Sequence, residues 1–234
     1  MRLPRVFASA AVVLLAHPGL AVADAPPAAA APATVWLLDQ TAAIGGRGVT
    51  VLGDPHVVTD AAGAAVRFDG VADGLLVPAN PLEGIQAFTV EICFKPAEGG
   101  SPEQRFLHVQ DLAGARALIE IRLDGMGHWW LDTFLRQQDP GRALIDPKQT
   151  HPTDRWYWAA LRYDGKTMSH YVNGELEREG AVDFGPMGPG QVSLGVRQNK
   201  LYWFKGSIRE VVFHAEAVAP EKLRRMGSVA AQDR

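Results

Sequence analysis

The residues best suited to chemistry lie in two neighbouring stretches, ARALIEIRLD at 115–124 and HWWLDTFLR at 128–136. Side chains alternate between the two faces of an extended strand, so each stretch has one apolar face and one face rich in charge. The two stretches are predicted to pair as a hairpin, whose charged face carries Arg116, Glu120, Arg122, His128, Trp130, Asp132 and Arg136. We take these as candidate ligand-binding residues, because a tryptophan stacked on a sugar ring, with polar groups on the hydroxyls, is a binding chemistry that this face could provide.

Hydrolysis is the alternative chemistry for the same hairpin. Glu120 and Asp132 are the best carboxylate pair for it. A glycosidase needs two carboxyl groups roughly 5–5.5 Å apart for retention or roughly 6.5–9.5 Å apart for inversion. The arginines around these two acids favour ordinary cross-strand ion pairs, in which both acids stay ionised. We therefore predict a binding face without catalytic residues, and we keep Glu120 with Asp132 as the catalytic alternative.

A second aromatic feature is the stretch QNKLYWFKG at 198–206, which is typical of a loop. Tyr202 and Trp203 could form an exposed lip beside a ligand, and both are candidate ligand-binding residues. Adjacent residues on a strand cannot both point inward, so one of the two could instead belong to the core. Trp129 and Trp156 are predicted as core residues.

Composition and the N-terminal residues limit the classes of partner. The chain has 234 residues, 47% of them hydrophobic, and a formal net charge of −3 without a basic stripe, which argues against nucleic acid. Residues 1–23 combine two arginines, an apolar run and a small-x-small cleavage site, as a secretory signal peptide does. We predict a secreted or periplasmic protein with no membrane attachment after signal cleavage. Cys93 is the single cysteine, so no internal disulfide can form.

The rest of the chain is predicted to be a linker and one domain. Residues 24–33 are a Pro/Ala-rich linker, and residues 34–234 form the domain. The dominant hydrophobic period in the domain is two, with turn residues about every 8 to 12 residues, which predicts an all-β, two-sheet antiparallel sandwich. The exception is AVAPEKLRRM at 217–226, where Pro220 and the later apolar spacing predict a short C-terminal helix.

Two turn signals within residues 155–180 predict a three-strand ribbon. Asp164-Gly165 and Asn173-Gly174 both fit two-residue type I′ loops, which need positive φ at both positions. These loops fix which side chains share a face of the ribbon.

Three segments resemble, in order, the laminin-G-like (LamG) jelly-roll domain. VRFDGVADGLLVP followed by FTVEICFKP is similar to its opening, and RWYWAALRYDGKTMSHYVNGELE to its aromatic strand and Tyr-Val-Asn-Gly hairpin; SLGVRQNKLYWFKGSIREVVFHAEAVAPEKL is similar to its closing segment. The resemblance covers roughly residues 64–226 and implies the concanavalin A-like lectin/glucanase fold. Cys93 departs from the pattern, since many relatives carry a tryptophan there, and Tyr157 with Trp158 replace a more usual histidine pair.

The superfamily implied by this resemblance includes sugar-binding modules, adhesion domains, glycoside hydrolases and polysaccharide lyases. The Glu-x-Asp-x-Glu motif of its laminarinase-type glucanases is absent from the sequence. Arg122, His128, Arg136 and Tyr171 supply the residue types of a lyase, but their spacing is not specific. We expect a module that binds a carbohydrate or another extracellular ligand without catalysis. The alternatives are a glycan-active enzyme and a structural protein-interaction module.

Calcium is the metal that the resemblance implies. LamG-like domains often bind it through aspartates and backbone carbonyls, for which Asp69, Asp73 and Asp164 are the candidates. Each of the three also fits an ordinary turn. The histidines are scattered without metal-binding spacing, so the sequence assigns no metal ligand.

Overall fold

The structure, a computed structural model, describes residues 32–61 and 63–227. The predicted signal peptide at 1–23 and most of the predicted linker at 24–33 lie outside the described residues. The described residues form strands almost throughout, and none of their helices is long and apolar enough to cross a membrane. The strands are β1 (Thr34–Leu37), β2 (Ala43–Ile44), β3 (Arg47–Gly48), β4 (Thr50–Leu52), β5 (His56–Asp60), β6 (Gly63–Asp69), β7 (Gly74–Val77), β8 (Phe88–Pro96), β9 (Glu103–Asp111), β10 (Arg116–Leu123), β11 (His128–Arg136), β12 (Arg142–Ile145), β13 (His151–Pro152), β14 (Tyr157–Tyr163), β15 (Thr167–Val172), β16 (Glu175–Ala181), β17 (Gly190–Leu194) and β18 (Lys205–His214).

Two eight-stranded antiparallel sheets form a sandwich. The first sheet has the order β16-β15-β14-β8-β18-β6-β5, and β1 also pairs with β18. The second sheet has the order β12-β11-β10-β9-β17-β7-β4, and β13 also pairs with β11. In both sheets strands far apart in sequence lie side by side, as in a jelly roll. The predicted all-β sandwich is confirmed.

The core between the sheets is built from the apolar faces that the alternation predicts. Phe88 and Phe94 of β8 and Ile119 of β10 are at most 1% exposed. The ring of Phe94 lies 4.5 Å from that of Phe106 and 5.1 Å from that of Trp129, measured between centroids. Burying each such side chain contributes about 1.5–3 kcal/mol, which is why the two sheets stay together without a disulfide.

The outer face of the first sheet is covered by the C-terminal segment, residues 216–227. The hydroxyl of Thr89 on β8 donates to the carbonyl of Glu216 at 3.0 Å, and Glu91 accepts the backbone N–H of Arg224 at 2.7 Å. Leu223 is buried in the same layer. As a result both faces of β8 are buried, although its outer face is polar in sequence.

The C-terminal helix predicted at 217–226 is reduced to a single 3-10 turn, Pro220–Lys222. Ala219 before the turn and Leu223 after it have extended backbone, and no side chain caps the turn. The contacts of the segment with β8 hold its backbone extended over the sheet, so packing overrides the local helical pattern.

The ribbon β14-β15-β16 forms as predicted, with one of its two loops displaced. Asn173 and Gly174 both have positive φ and form the second loop. In the first, the strand pairing puts Gly165 and Lys166 in the loop, and the Asp164 carboxylate accepts the Lys166 N–H at 3.1 Å. The register of β14 and β15 therefore differs from the prediction by two residues, which keeps the same side chains on each face of these two strands, whereas a further register shift at His170/Tyr171 interrupts the pairing of β15 with β16.

Trp156, predicted as core, lies partly exposed on the outside of the first sheet. Its indole Nε1 donates to Asp60 at 2.8 Å, and the guanidinium carbon of Arg209 lies 3.8 Å from its ring centroid. The next residue, Tyr157, points inward instead and packs edge-on against Trp129, with 5.0 Å between the ring centroids. Adjacent side chains in an extended segment point to opposite faces, so Tyr157 is buried and Trp156 is not.

Candidate ligand-binding site on the second sheet

The hairpin β10–β11 forms the centre of the outer face of the second sheet. Its strands pair as predicted, and the cross-strand pairs on this face are Arg116–Arg136, Leu118–Phe134, Glu120–Asp132 and Arg122–Trp130. Side chains directly opposite each other on one face are in contact range, so six of the predicted ligand-binding residues lie together.

A β-bulge in β9 brings a further arginine to this face. The register between β9 and β10 shifts at Ile119/Glu120, and the adjacent Phe106 and Leu107 are both buried. The shift places Arg105 opposite Glu120 on the outer face. Arg105 is not among the site residues predicted from the sequence, although the apolar pair that interrupts the alternation of β9 was a signal for it.

The loop at 195–204 is fixed on the same face by hydrogen bonds of its backbone and side chains. Phe204 N–H donates to the Gly195 carbonyl at 2.8 Å and closes the base of the loop. Gln198 N–H donates to Nδ1 of His108 at 3.1 Å, and the Gln198 side-chain amide donates to the Gln191 carbonyl at 2.8 Å. The loop is therefore tied to both β9 and β17.

This loop supplies Arg197 and Tyr202 to the site. The ring of Tyr202 stacks on Arg105, with the guanidinium carbon 3.8 Å from the ring centroid. The backbone N–H of Arg105 donates to the Tyr202 carbonyl at 2.9 Å. Arg197 was also missed by the sequence analysis, because nothing in the stretch 198–206 indicates where the loop folds back on the sheet.

These side chains surround a surface pocket of about 230 Å³, here named the arginine pocket. Four arginines, two carboxylates and three apolar side chains line it: Arg105, Arg116, Arg122, Arg197, Glu120, Asp132, Leu118, Phe134 and Ala143. With all the charged groups ionised, the lining carries a net charge of +2, since four guanidinium groups face two carboxylates.

Two of the four arginines belong to a continuous ion-pair network. Arg122 Nη2 lies 2.6 Å from Asp132 Oδ2, and Arg122 Nη1 lies 2.6 Å from Glu103 Oε2. Arg105 Nε lies 2.8 Å from Glu120 Oε1, and Arg105 also pairs with Glu103. Three carboxylates thus neutralise these two arginines and hold their side chains in place.

The other two arginines, Arg116 and Arg197, have no carboxylate within ion-pair distance among residues 32–61 and 63–227. The guanidinium carbon of Arg116 lies 5.3 Å from the ring centroid of Phe134, and its Nε is buried without a hydrogen-bond partner. Burial, and then the charges of Arg136 and Arg197, lower the pKa of Arg116. These two arginines give the pocket its excess of positive charge.

Burial dominates the protonation of the two acids. Glu120 is 3% exposed, and burial, followed by the nearby Asp132 charge, raises the pKa of Glu120 to about 7. Burial also raises the pKa of Asp132, against its hydrogen bonds from Arg122. Desolvation of Glu120 outweighs the attraction of Arg105 and Arg122, so this acid is partly protonated near neutral pH, whereas the sequence led us to expect both acids to stay ionised.

The remaining predicted ligand-binding residues lie around the pocket or away from it. Trp130 is half-buried beside Arg122, and Arg136 pairs with the exposed Asp139 at 2.6 Å. His128 is exposed in the β10–β11 turn, with its ring bonded to the turn aspartate at 3.1 Å. Trp203 is half-buried, and neither it nor His128 lines the arginine pocket.

The three calcium candidates accept backbone hydrogen bonds in turns. Asp69 accepts three N–H groups of residues 71–73, which lower its pKa against the effect of burial. Asp73 accepts from Asp54 and Asp69, and Asp164 accepts from Lys166 and Thr167. Within the described ranges, no group of three or more histidine, cysteine, aspartate or glutamate side chains could hold a metal ion. Calcium binding stays a prediction.

Residues 69–224 match the Laminin_G_3 family, described as the concanavalin A-like lectin/glucanases superfamily. A search of curated proteins finds no match to the sequence.

Solved structures share the fold at low sequence identity. Domain 4 of AbnA, a GH43 extracellular arabinanase from Geobacillus stearothermophilus, in complex with arabinotriose, is 19% identical with a TM-score of 0.64, over 82% of this chain and 96% of that domain. The binding domain of botulinum neurotoxin serotype D is 17% identical with a TM-score of 0.57, over 80% of this chain and 48% of that one. The binding domain of Paraclostridial Mosquitocidal Protein 1 is 13% identical with a TM-score of 0.61, over 81% of this chain and 50% of that one. The chain spans about half the length of these two binding domains.

Proposed function

The chain belongs to the Laminin_G_3 family of the concanavalin A-like lectin/glucanases superfamily, and on this premise we propose that it is an exported module that binds a carbohydrate in the arginine pocket. One observation carries the proposal: on an open sheet face, the apolar walls of Leu118 and Phe134 meet charged side chains, with Trp130 alongside. Sugars have apolar ring faces and polar rims, so they suit a site of this mixed character. The arabinotriose complex of the arabinanase domain, which has the same fold, supports carbohydrate as the ligand class.

A glycan-array screen of the full chain, with and without calcium, tests this function. Trp130→Ala should weaken binding about tenfold, because a lost aromatic platform typically costs 1 kcal/mol or more. Trp156→Ala is the matched control, since Trp156 is a half-buried tryptophan on the outside of the other sheet. Silence across neutral and acidic glycans would contradict the proposal and favour a protein-interaction module.

Export is part of the proposal and depends on residues 1–23. N-terminal sequencing of the protein made in a secreting bacterial host should find cleavage after Ala23. Replacing Ala21 and Ala23 by arginine should block cleavage while leaving translation unchanged. A chain that keeps Met1 and stays in the cytoplasm would contradict export.

One observation favours a second function, hydrolysis of the bound glycan. Glu120, whose pKa burial raises to about 7, stands directly opposite Asp132 on the neighbouring strand, and such a pair resembles the general acid and second carboxylate of glycosidases. If Glu120 is the acid, the wild type should release reducing ends from a polysaccharide that binds. Glu120→Gln should then lower turnover at least 100-fold with little change in binding. Absence of reducing ends from every bound polysaccharide would contradict this second function.

A further inference from the structure

We propose that the saccharide bound in the arginine pocket is acidic, with a carboxylate or sulfate group held between Arg116 and Arg197. This inference rests on the proposed function and names the chemical class of its ligand.

The charge balance of the pocket is the first argument. Arg105 and Arg122 are matched by the carboxylates of their network, whereas Arg116 and Arg197 have none within ion-pair distance among the described residues. Arg116 stands directly opposite Arg136 on the neighbouring strand, and like charges in that position destabilise a sheet. An anion between Arg116 and Arg197 would neutralise charge that no carboxylate of the described residues approaches within ion-pair distance.

The hydrogen-bonding capacity of the face is the second argument. Five buried nitrogens on this face have no hydrogen-bond partner: Arg105 Nη1, His108 Nε2, Arg116 Nε, Trp130 Nε1 and Arg136 Nε. His108 Nδ1 accepts the Gln198 N–H, so the ring proton is on Nε2, and that atom is also a donor. In the described part of this face, no buried side-chain oxygen lacks a hydrogen-bond partner.

These five atoms are themselves too buried to reach a ligand, but the four guanidinium groups that line the pocket only donate hydrogen bonds, so the pocket selects ligands that supply acceptors. Carboxylate and sulfate oxygens only accept hydrogen bonds, whereas each sugar hydroxyl brings a donor that needs an acceptor of its own. The planar fork of a guanidinium group also matches an anionic oxygen pair, which gives short, strong, charge-assisted bonds. A uronic acid and a sulfate ester share this chemistry, so the structure favours both over a neutral sugar.

Titration calorimetry with the full chain separates the two sources. For a carboxylate group, the acidic ligand is trigalacturonate and its neutral counterpart is the methyl ester. For a sulfate group, the acidic ligand is sulfated lactose and its neutral counterpart is lactose. One acidic ligand should bind at least tenfold more tightly than its neutral counterpart, with an affinity that falls as sodium chloride is raised. The acid that binds identifies the anionic group.

Variants of the two unmatched arginines test the location. Arg116→Gln and Arg197→Gln should each weaken binding of the acid roughly 10- to 100-fold, as expected for a lost hydrogen bond between charged groups. Arg116→Lys, which keeps the charge but not the fork, should fall in between. Arg155→Gln removes an exposed arginine that does not line the pocket and should bind as the wild type does. Urea unfolding of each variant shows whether the fold is kept.

The outcomes distinguish this inference from the proposed function. Equal affinity for an acid and its neutral counterpart, or wild-type affinity in both glutamine variants, would overturn the acidic ligand and leave carbohydrate binding standing. A glycan array with only neutral glycans bound would do the same. No binding to the four ligands together with a silent array would overturn both.

Discussion

Protonation of Glu120 should make folding stability depend on pH. The pKa of Glu120 is about 7 in the folded protein, against an ordinary value of 4.5. A raised pKa means that the folded state holds this proton more tightly than the unfolded state does. The stability that Glu120 contributes is therefore fully present below pH 4.5 and is lost as the pH rises through about 7. The difference corresponds to about 3 kcal/mol, at about 1.4 kcal/mol per pH unit.

Glu120→Gln isolates this effect, because glutamine resembles the neutral acid in shape and cannot ionise. Urea unfolding of both proteins at pH 5, 6, 7 and 8 gives the difference in free energy of unfolding, variant minus wild type. We expect this difference to rise by roughly 2 to 3 kcal/mol between pH 5 and pH 8. The groups that face Glu120 are Asp132, Arg105 and Arg122, and all three are unchanged in the variant.

Glu179→Gln controls for the loss of a carboxyl group, since Glu179 is exposed on β16. The difference in free energy of unfolding between Glu179→Gln and the wild type should not rise in this way between pH 5 and pH 8. A flat Glu120→Gln difference between pH 5 and pH 8, or one that falls, would refute the conclusion that burial outweighs the two arginines.

Three further predictions concern the framework of the site. Gly195→Ala should lower the free energy of unfolding, measured with urea, by roughly 2–4 kcal/mol. Gly195 has φ +77°, and an added Cβ would overlap the Phe68 ring. Unchanged stability would contradict this close approach. Phe94→Ala should lower the free energy of unfolding by about 3–5 kcal/mol in the same assay, since Phe94 is fully buried at the centre of the aromatic core. Val71→Ala is the exposed control, and a loss for Phe94→Ala no larger than that of the control would contradict the central position of Phe94. Burial raises the pKa of Cys93 to about 11, so a disulfide reagent should leave the native thiol unmodified at pH 8 and modify it in urea; rapid reaction of the native protein would contradict the burial.

Alternation in the sequence was enough to predict the two-sheet sandwich and the centre of the site. The strands β8, β10 and β11 each place one kind of side chain on one face, and the hairpin register then follows from a short turn. Glu120 opposite Asp132 and Arg122 opposite Trp130 could be predicted for this reason, since a strand has a fixed period of two.

The rest of the site depends on features that break this period. The bulge in β9 turns Arg105 outward, and the pair Phe106-Leu107 is the one local sign of it. Arg197 reaches the pocket through a loop whose position is set by hydrogen bonds from Gln198 to the nearby Gln191 and to His108, which is distant in sequence. The pKa of Glu120 depends on its burial, which a single strand pattern does not specify.

On the outside of the first sheet, too, local sequence patterns did not predict the structure. The pattern of residues 217–226 is helical, but the segment lies extended on β8 because Thr89 and Glu91 bind its backbone. Trp156 was predicted as core because its counterpart in the resembled LamG strand is a packing residue, and the sequence did not reveal that Asp60 and Arg209 hold it outside.

Because β1 pairs with β18 and the C-terminal segment runs over β8, residues 34 and 227 both lie on the first sheet, while the arginine pocket is on the far side of the second. The described residues therefore begin and end on the side of the sandwich away from the arginine pocket. A tag, a fused domain or a solid support joined directly before residue 34 or after residue 227 would leave the pocket pointing away from the point of attachment. Immobilised protein should thus capture glycans as well as free protein does, whichever end is anchored.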